Sequence, residues 1–284
     1  MNYKVTKLEP FGALVEPTEA QTSVNDLSIQ ALRDLFDEHQ IVLLRGFSGV
    51  AESDDLVDFS ERWGEVSVWP FGKVLELVEQ DKPKDHIFDN TYVPMHWDGM
   101  YRPEVPEIQI FHCVRAPQHQ DGGRTVFSHT PEVLRQATAE DLAKWSQVTG
   151  VYERKMEFYH SRTVAPLVTK HPTKDVSVIR YCEPPQHEDE DFLNHPDMSF
   201  EGVDKEELGE FLKNLQEQLY AEEVTYAHQW ETGDIVISDN HTLLHGREAF
   251  VSGAGRHLRR VQVLGSPKVE NPHLVFHSDT PAGV

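Results

Sequence analysis

The chain has 284 residues, a formal net charge of −22 and only two cysteines. So large an acidic excess argues against nucleic acid, whose phosphates need a basic surface, and against anionic membranes. It does not exclude a small acidic molecule, because a few arginines reverse the sign inside a cleft.

In chain order, the first fifty residues read as strand, loop, helix, strand. Asn25 and Asp26 are placed to cap a helix with Ile29, Leu32, Leu35 and Phe36 on one face. A buried strand is predicted over 41–47. Ser53 is placed to cap a second helix carrying Leu56, Phe59 and Trp63, ended by Gly64. Strand signals recur over 74–78, 107–114 and 124–128. Thr130-Pro131 opens a helix toward Trp145, with proline at its first position. A strand follows over 176–181. An amphipathic helix over 204–220 turns Leu208, Phe211, Leu212, Leu215 and Leu219 inward. The last strands are predicted over 224–230, 234–238 and 257–264.

Short strands, few helices and no regular βαβ alternation predict a mainly β fold with flanking helices, a double-sheet jelly roll. No repeat or linker divides the chain, so one domain is expected over 1–284, with 265–284, rich in proline and polar residues, as a poorly ordered tail. Cys113 and Cys182 lie in no CxxC pair or Cys/His cluster. A disulfide framework is thereby excluded, zinc-finger chemistry is not expected, and a reducing, cytoplasmic setting is. The N-terminus shows no apolar signal core and no stretch approaches a membrane span. Oligomeric state is not legible, and a homo-oligomer is admissible.

The chemistry-bearing motif is His96-Trp97-Asp98. Composition alone predicts about one His-x-Asp in such a chain, whereas four occur, the others being His119/Asp121, His187/Asp189 and His195/Asp197. Context selects among them. His119/Asp121 sits in a turn-rich stretch, and 184–197 reads as an acidic, proline-bearing solvated loop. His96/Asp98 instead ends a strand-like segment at Gly99, where positions i and i+2 share a face. A distant partner lies in Gly233 to Arg247, where both His241 and His245 are candidates. Two histidines and a carboxylate on one face are the ligand set of non-haem Fe(II) oxygenases. Over 256–264 strand parity puts Arg256, Leu258, Arg260 and Gln262 on one face. A buried guanidinium there needs an anion.

His96-x-Asp98, His245 and an arginine eleven positions later resemble the taurine dioxygenase (TauD/TfdA) family of Fe(II)/2-oxoglutarate oxygenases. The spacing to Arg256 is what chooses His245 over His241. The stretches 69–80, 85–101, 180–185 and 239–250 are similar to its PvcB-type, isonitrile-processing branch. The resemblance runs over nearly the whole chain. It implies a double-stranded β-helix, Fe(II) held by His96, Asp98 and His245, and O₂ and 2-oxoglutarate as cosubstrates. The distal carboxylate of 2-oxoglutarate would be held by Arg256 and Thr125. It further implies a small acidic substrate, tyrosine isonitrile or a relative, with its carboxylate on Arg260. Tyr101, following the motif through Gly99, is a candidate pocket residue beside Trp69, Phe71 and Tyr92. Hydrogen abstraction from the benzylic carbon then leads to desaturation or to decarboxylative formation of a vinyl isonitrile. Two alternatives stay open: a 2-oxoglutarate-dependent hydroxylase of another small acid, such as a sulfonate or aryloxyacid, and a jelly-roll protein that binds metal or ligand without turnover.

Overall fold

The computed structural model describes residues 2–157, 159–185 and 193–277. Two sheets carry the architecture. The larger has seven strands in the order Tyr3–Lys7, Ala13–Pro17, Ile41–Leu44, Ile235–Asp239, Glu104–Arg115, His257–Glu270 and Leu75–Val78. Its pairs are antiparallel except Ala13–Pro17 with Ile41–Leu44. The smaller has four antiparallel strands in the order Thr225–His228, Thr125–His129, Leu243–Arg247 and Val93–His96. Between them lies an apolar layer contributed by both: Ile41, Leu43, Phe111, Val236 and Leu258 from the larger sheet, Phe127 and Leu243 from the smaller.

Alternation along His257–Glu270 shows how side chains are sorted between layers. Val261 and Val263 are fully buried against Leu32, Phe36, Leu56, Phe59 and Trp63. The helices Ile29–His39 and Ser53–Glu61 therefore cover the outer face of the larger sheet. Leu258 on the opposite face joins the layer between the sheets. Burying such side chains stabilises the fold by about 1.5–3 kcal/mol each. A third cluster packs the helix Leu208–Leu219, through Phe211, Leu215 and Leu219, with Trp145, Tyr152, Tyr181 and Leu244.

Several local expectations are corrected. Ser28, not Asn25 or Asp26, caps the first helix. Ser23 caps a separate short turn over Val24–Asp26. Glu52 and Asp55 form the box that starts the second helix, so Ser53 is already inside it. The helix predicted from Thr130 to Trp145 is two helices, Thr130–Gln136 and Ala139–Trp145, because the Thr138 hydroxyl accepts from Asp141 N and starts a new one. A second four-stranded sheet, Asp197–Glu201, Thr149–Lys155, His160–Pro166 and Leu274–Phe276, was not foreseen. The poorly ordered tail is likewise revised. Strand pairing continues to Glu270 and resumes at Leu274–Phe276, and only 278–284 lie outside the described residues. Both cysteines are free and buried. Among the described residues, no helix is long and apolar enough to cross a membrane.

Candidate active site

Three donor side chains meet at the edge of the smaller sheet. His96 ends the strand Val93–His96, and His245 lies opposite it in Leu243–Arg247. Parity predicts a shared strand face for His96 and Asp98, but the strand stops at His96 and Asp98 occupies the following turn. Asp98 Oδ1 nonetheless lies 3.7 Å from His96 Nε2. Gly99 makes the turn possible: its φ is +95°, and a Cβ there would stand 2.7 Å from Pro106 Cδ and 2.9 Å from Val105 Cα. Trp97 turns away to pack edge-on against Tyr152. One ligand-capable atom from each of His96, Asp98 and His245 lies within 4.8 Å of the others.

The protonation states suit a metal. His96 Nδ1 is 2.9 Å from the Pro94 carbonyl, which places the ring hydrogen there and leaves Nε2 as a lone pair. Burial lowers the pKa of His96, against the opposing pull of Asp98. Burial also holds His245 well below its ordinary value, helped by the proximity of His96. Both rings are therefore neutral, the form that ligates. For Asp98 burial works to raise the pKa, but the Arg260 charge foremost, with the Gln262 hydrogen bond, outweighs it and the carboxyl stays ionised. Two neutral imidazoles and one carboxylate are the donor set of non-haem iron sites.

Asp98 is held from several sides. Arg260 Nη1 and Gln262 Nε2 reach its Oδ2 at 2.5 and 2.7 Å. Asn240 takes the Asp98 N–H at 2.8 Å and donates to the Asp98 carbonyl at 2.9 Å. Gln109 supports Asn240 Oδ1 at 3.0 Å. Two residues after His245, Arg247 donates to the carbonyls of His86, Ile87, Asp89 and Thr91, which ties down the chain leading into the His96 strand.

His241 belongs to a different group. Its buried ring lies edge-on to His171, 5.5 Å away, and with Asp239 these form a second set of convergent donors. His171 Nδ1 already accepts the N–H groups of Thr173 and Lys174, so the neutral ring carries its hydrogen on Nε2 and has no lone pair left for a metal.

Arg256 and Thr125 lie side by side. Arg256 Nε donates to Gly123 O at 2.9 Å and Nη2 lies 3.4 Å from Thr125 Oγ1, which also accepts from Trp230 Nε1 at 3.0 Å. Gly123 has φ +79°, and a Cβ there would stand 3.0 Å from Arg256 Cδ, so glycine lets the loop lie against the guanidinium. Arg256 precedes the strand and its first bulge rather than sharing strict alternation with Arg260. It is 3% exposed and no acidic side chain pairs with it among the described residues. Burial, with nearby Arg247, lowers its pKa to about 9. A buried cation without a partner is a strong demand for an anion.

A cavity of about 790 Å³ opens beside the triad. His96, Asp98, Arg260 and Tyr101 contribute to its wall, as do Trp69 and Phe71; Tyr92, His245, Thr125 and Arg256 do not. Arg260 Nε and the Tyr101 hydroxyl are buried with no hydrogen-bond partner among the described residues. Of the rejected His-x-Asp copies, His119/Asp121 lies on a short turn and His187/Asp189 outside the described residues. The solvated loop expected for His195/Asp197 is corrected: His195 lines the cavity, 5.8 Å from the His86 ring, and Asp197 starts a strand. Sequence reasoning assigned no role to Asn240, Gln262 or Trp230, or to Arg154, which lines the cavity. Only the parity of Gln262 with Arg260 pointed toward the site.

Comparison with known proteins follows the same lines. The family profile described as taurine catabolism dioxygenase TauD, TfdA family, matches residues 4–262. The tyrosine isonitrile desaturase of Pseudomonas aeruginosa is 48% identical over 93% of this chain and 91% of its own. The 3-((Z)-2-isocyanoethenyl)-1H-indole synthase of Fischerella ambigua is 38% identical over 92% of this chain and 96% of its own. A solved structure of PvcB, described as an Fe, alpha-ketoglutarate dependent oxygenase from an isonitrile synthetic pathway, superposes with a TM-score of 0.83 at 44% identity. It covers 97% of this chain and 96% of that one. With the family profile spanning nearly all of the chain, the protein belongs to the TauD/TfdA family of dioxygenases.

Proposed function

We propose that this protein is an Fe(II)/2-oxoglutarate-dependent oxygenase that desaturates tyrosine isonitrile or a close relative. The two sheets then form the double-stranded β-helix of a single domain over 1–284. The observation that carries the reading is the buried, acid-free Arg256 beside Thr125, in the same fold as a convergent His96, Asp98 and His245. A dicarboxylate cosubstrate supplies the anion that Arg256 lacks. The tyrosine isonitrile desaturase relative supports the substrate class.

In this reading His96, Asp98 and His245 hold iron, which together with 2-oxoglutarate and O₂ supplies the oxidising power. Arg256 and Thr125 hold the distal carboxylate of the cosubstrate. Arg260 keeps Asp98 ionised through Nη1 and offers its unpartnered Nε to the substrate carboxylate. Tyr101 offers a hydroxyl to the substrate from the cavity wall. The apolar part of the cavity wall, with Trp69, Phe71 and Met100, would shield the reacting carbon from water. Two hydrogens leave the substrate and end in water, while 2-oxoglutarate becomes succinate and CO₂. The first hydrogen comes from the benzylic carbon. Loss of the α-hydrogen next gives an unsaturated isonitrile acid, and loss of the carboxylate instead gives a vinyl isonitrile.

The test is turnover of tyrosine isonitrile by protein loaded with Fe(II) and 2-oxoglutarate. Succinate should form in step with a product two hydrogens lighter than the substrate. A product that also lacks the elements of CO₂ would assign the decarboxylative outcome. Succinate formation indifferent to the isonitrile, with another small acid turned over instead, would overturn the substrate assignment.

A further inference from the structure

Asp98 has two carboxylate oxygens with different surroundings. Oδ2 receives Arg260 Nη1 at 2.5 Å and Gln262 Nε2 at 2.7 Å. Oδ1 is the oxygen nearer His96 Nε2. The Gln262 amide is itself locked, because its Oε1 accepts the Trp69 indole N–H at 2.9 Å. An indole nitrogen only donates, so it settles which end of the amide faces it and which faces Asp98. Trp69 is in turn clamped. It closes a tight turn through paired backbone bonds with Gly72, stacks on Phe71 at 5.5 Å, and carries the Arg102 guanidinium 4.5 Å over its ring. Both Trp69 and Asp98 lie in the wall of the cavity.

We propose that Trp69 and Gln262 are positioning residues for the metal-binding carboxylate: together with Arg260 they occupy Oδ2 and commit Asp98 to contact the metal through Oδ1 alone. The inference rests on the assignment of Asp98 as a metal ligand. Without the indole N–H, the Gln262 amide is free to turn its oxygen toward Asp98, which repels the carboxylate. Without the Gln262 amide, one of the two donors on Oδ2 is gone and the carboxylate is free to rotate. The purpose is space. A carboxylate that contributes one oxygen leaves more of the metal's coordination sphere to the cosubstrate and O₂.

The experiment titrates metal-free protein with Co(II), following both affinity and the d–d absorption bands, which report coordination number. Gln262→Leu should weaken Co(II) binding about 10- to 100-fold, the usual effect of an outer residue that orients a ligand. Trp69→Phe keeps the stacking and should weaken it about 2- to 10-fold, as expected for one lost neutral hydrogen bond. Both should change the d–d bands, and Gln262→Glu should weaken binding more than Gln262→Leu by setting a second carboxylate against Asp98. Wild-type affinity and bands in Gln262→Leu and Trp69→Phe, with Asp98→Ala no longer binding, would overturn the positioning role and leave the metal site intact. Unchanged binding in Asp98→Ala would overturn the metal site itself, and the inference with it.

Discussion

His245 stands directly across an antiparallel strand pair from His96, and the two imidazole centroids are 4.2 Å apart. This register, rather than proximity in sequence, brings His245 to His96 and Asp98. His241 points into another buried group, with its ring edge-on to His171. His245→Ala should therefore lose Co(II) or Fe(II) affinity by more than about 100-fold, beyond the range usual for outer residues. His241→Ala should bind metal as the parent does and show its effect in thermal stability. Isothermal titration of the two metal-free variants checks this; equal losses would be incompatible with the register.

Arg256 and Arg260 should separate kinetically. Arg256→Ala removes a buried cation that has no acidic partner among the described residues, so the KM for 2-oxoglutarate should rise roughly 100-fold, the scale of a desolvated charge pair. Arg260→Ala should raise the substrate KM more than the 2-oxoglutarate KM, because Nε is the donor left unpartnered. Steady-state kinetics with each component varied in turn distinguishes them. The reverse pattern would exchange the two roles.

The cavity wall depends on a buried ion pair. Asp85 accepts from Arg154 Nη2 and from the N–H of Ile87 at 3.1 Å, and both charged side chains are largely buried. Asp85→Ala leaves Arg154 without its counter-charge and should destabilise the fold by about 3–5 kcal/mol. Urea unfolding measures the loss. Adding Arg154→Met to Asp85→Ala should recover part of it, and no recovery would show that the cost lies in the turn Asp85 caps.

Stability should fall on mild acidification. Burial, aided by Arg259, lowers the His112 pKa to about 4. The folded state thus favours the neutral ring, while the unfolded chain binds a proton near pH 6.5. The contribution is full above that pH and is lost as pH falls toward about 4, at up to about 1.4 kcal/mol per pH unit. Urea midpoints from pH 8 to pH 4 should follow this fall, and His112→Gln should flatten it. A parallel fall in His112→Gln would assign the slope to other buried histidines.

What was legible in the sequence were features carried by period and spacing. The strand 234–238 was read nearly to the residue because its apolar run is buried on both faces. The pairing of Thr125 with Arg256 came from the family resemblance rather than from period, and the two side chains meet in space. The turn that carries Asp98 was hidden because alternation looks the same whether a strand continues or stops after His96. The sheet built on Thr149–Lys155 was hidden because its strands lie beside polar, charged segments without a clear apolar period. Asn240 and Gln262 were invisible as site residues because amide side chains act through partners far away in sequence, and nothing local marks which partner each will meet.

The strand His257–Glu270 works as a ruler. Its even positions place Leu258, Arg260 and Gln262 toward the interior, while Val261 and Val263 enter the helix layer. Inserting one residue between 258 and 260 would rotate the side chains from Arg260 to Val263 to the opposite face. A guanidinium and an amide would then be pressed into the apolar helix layer, and two valines would face Asp98. Past Val263 the pairing already slips, and there the same insertion would be absorbed. Spacing within these few residues should thus tolerate length changes less than it tolerates most changes of residue type.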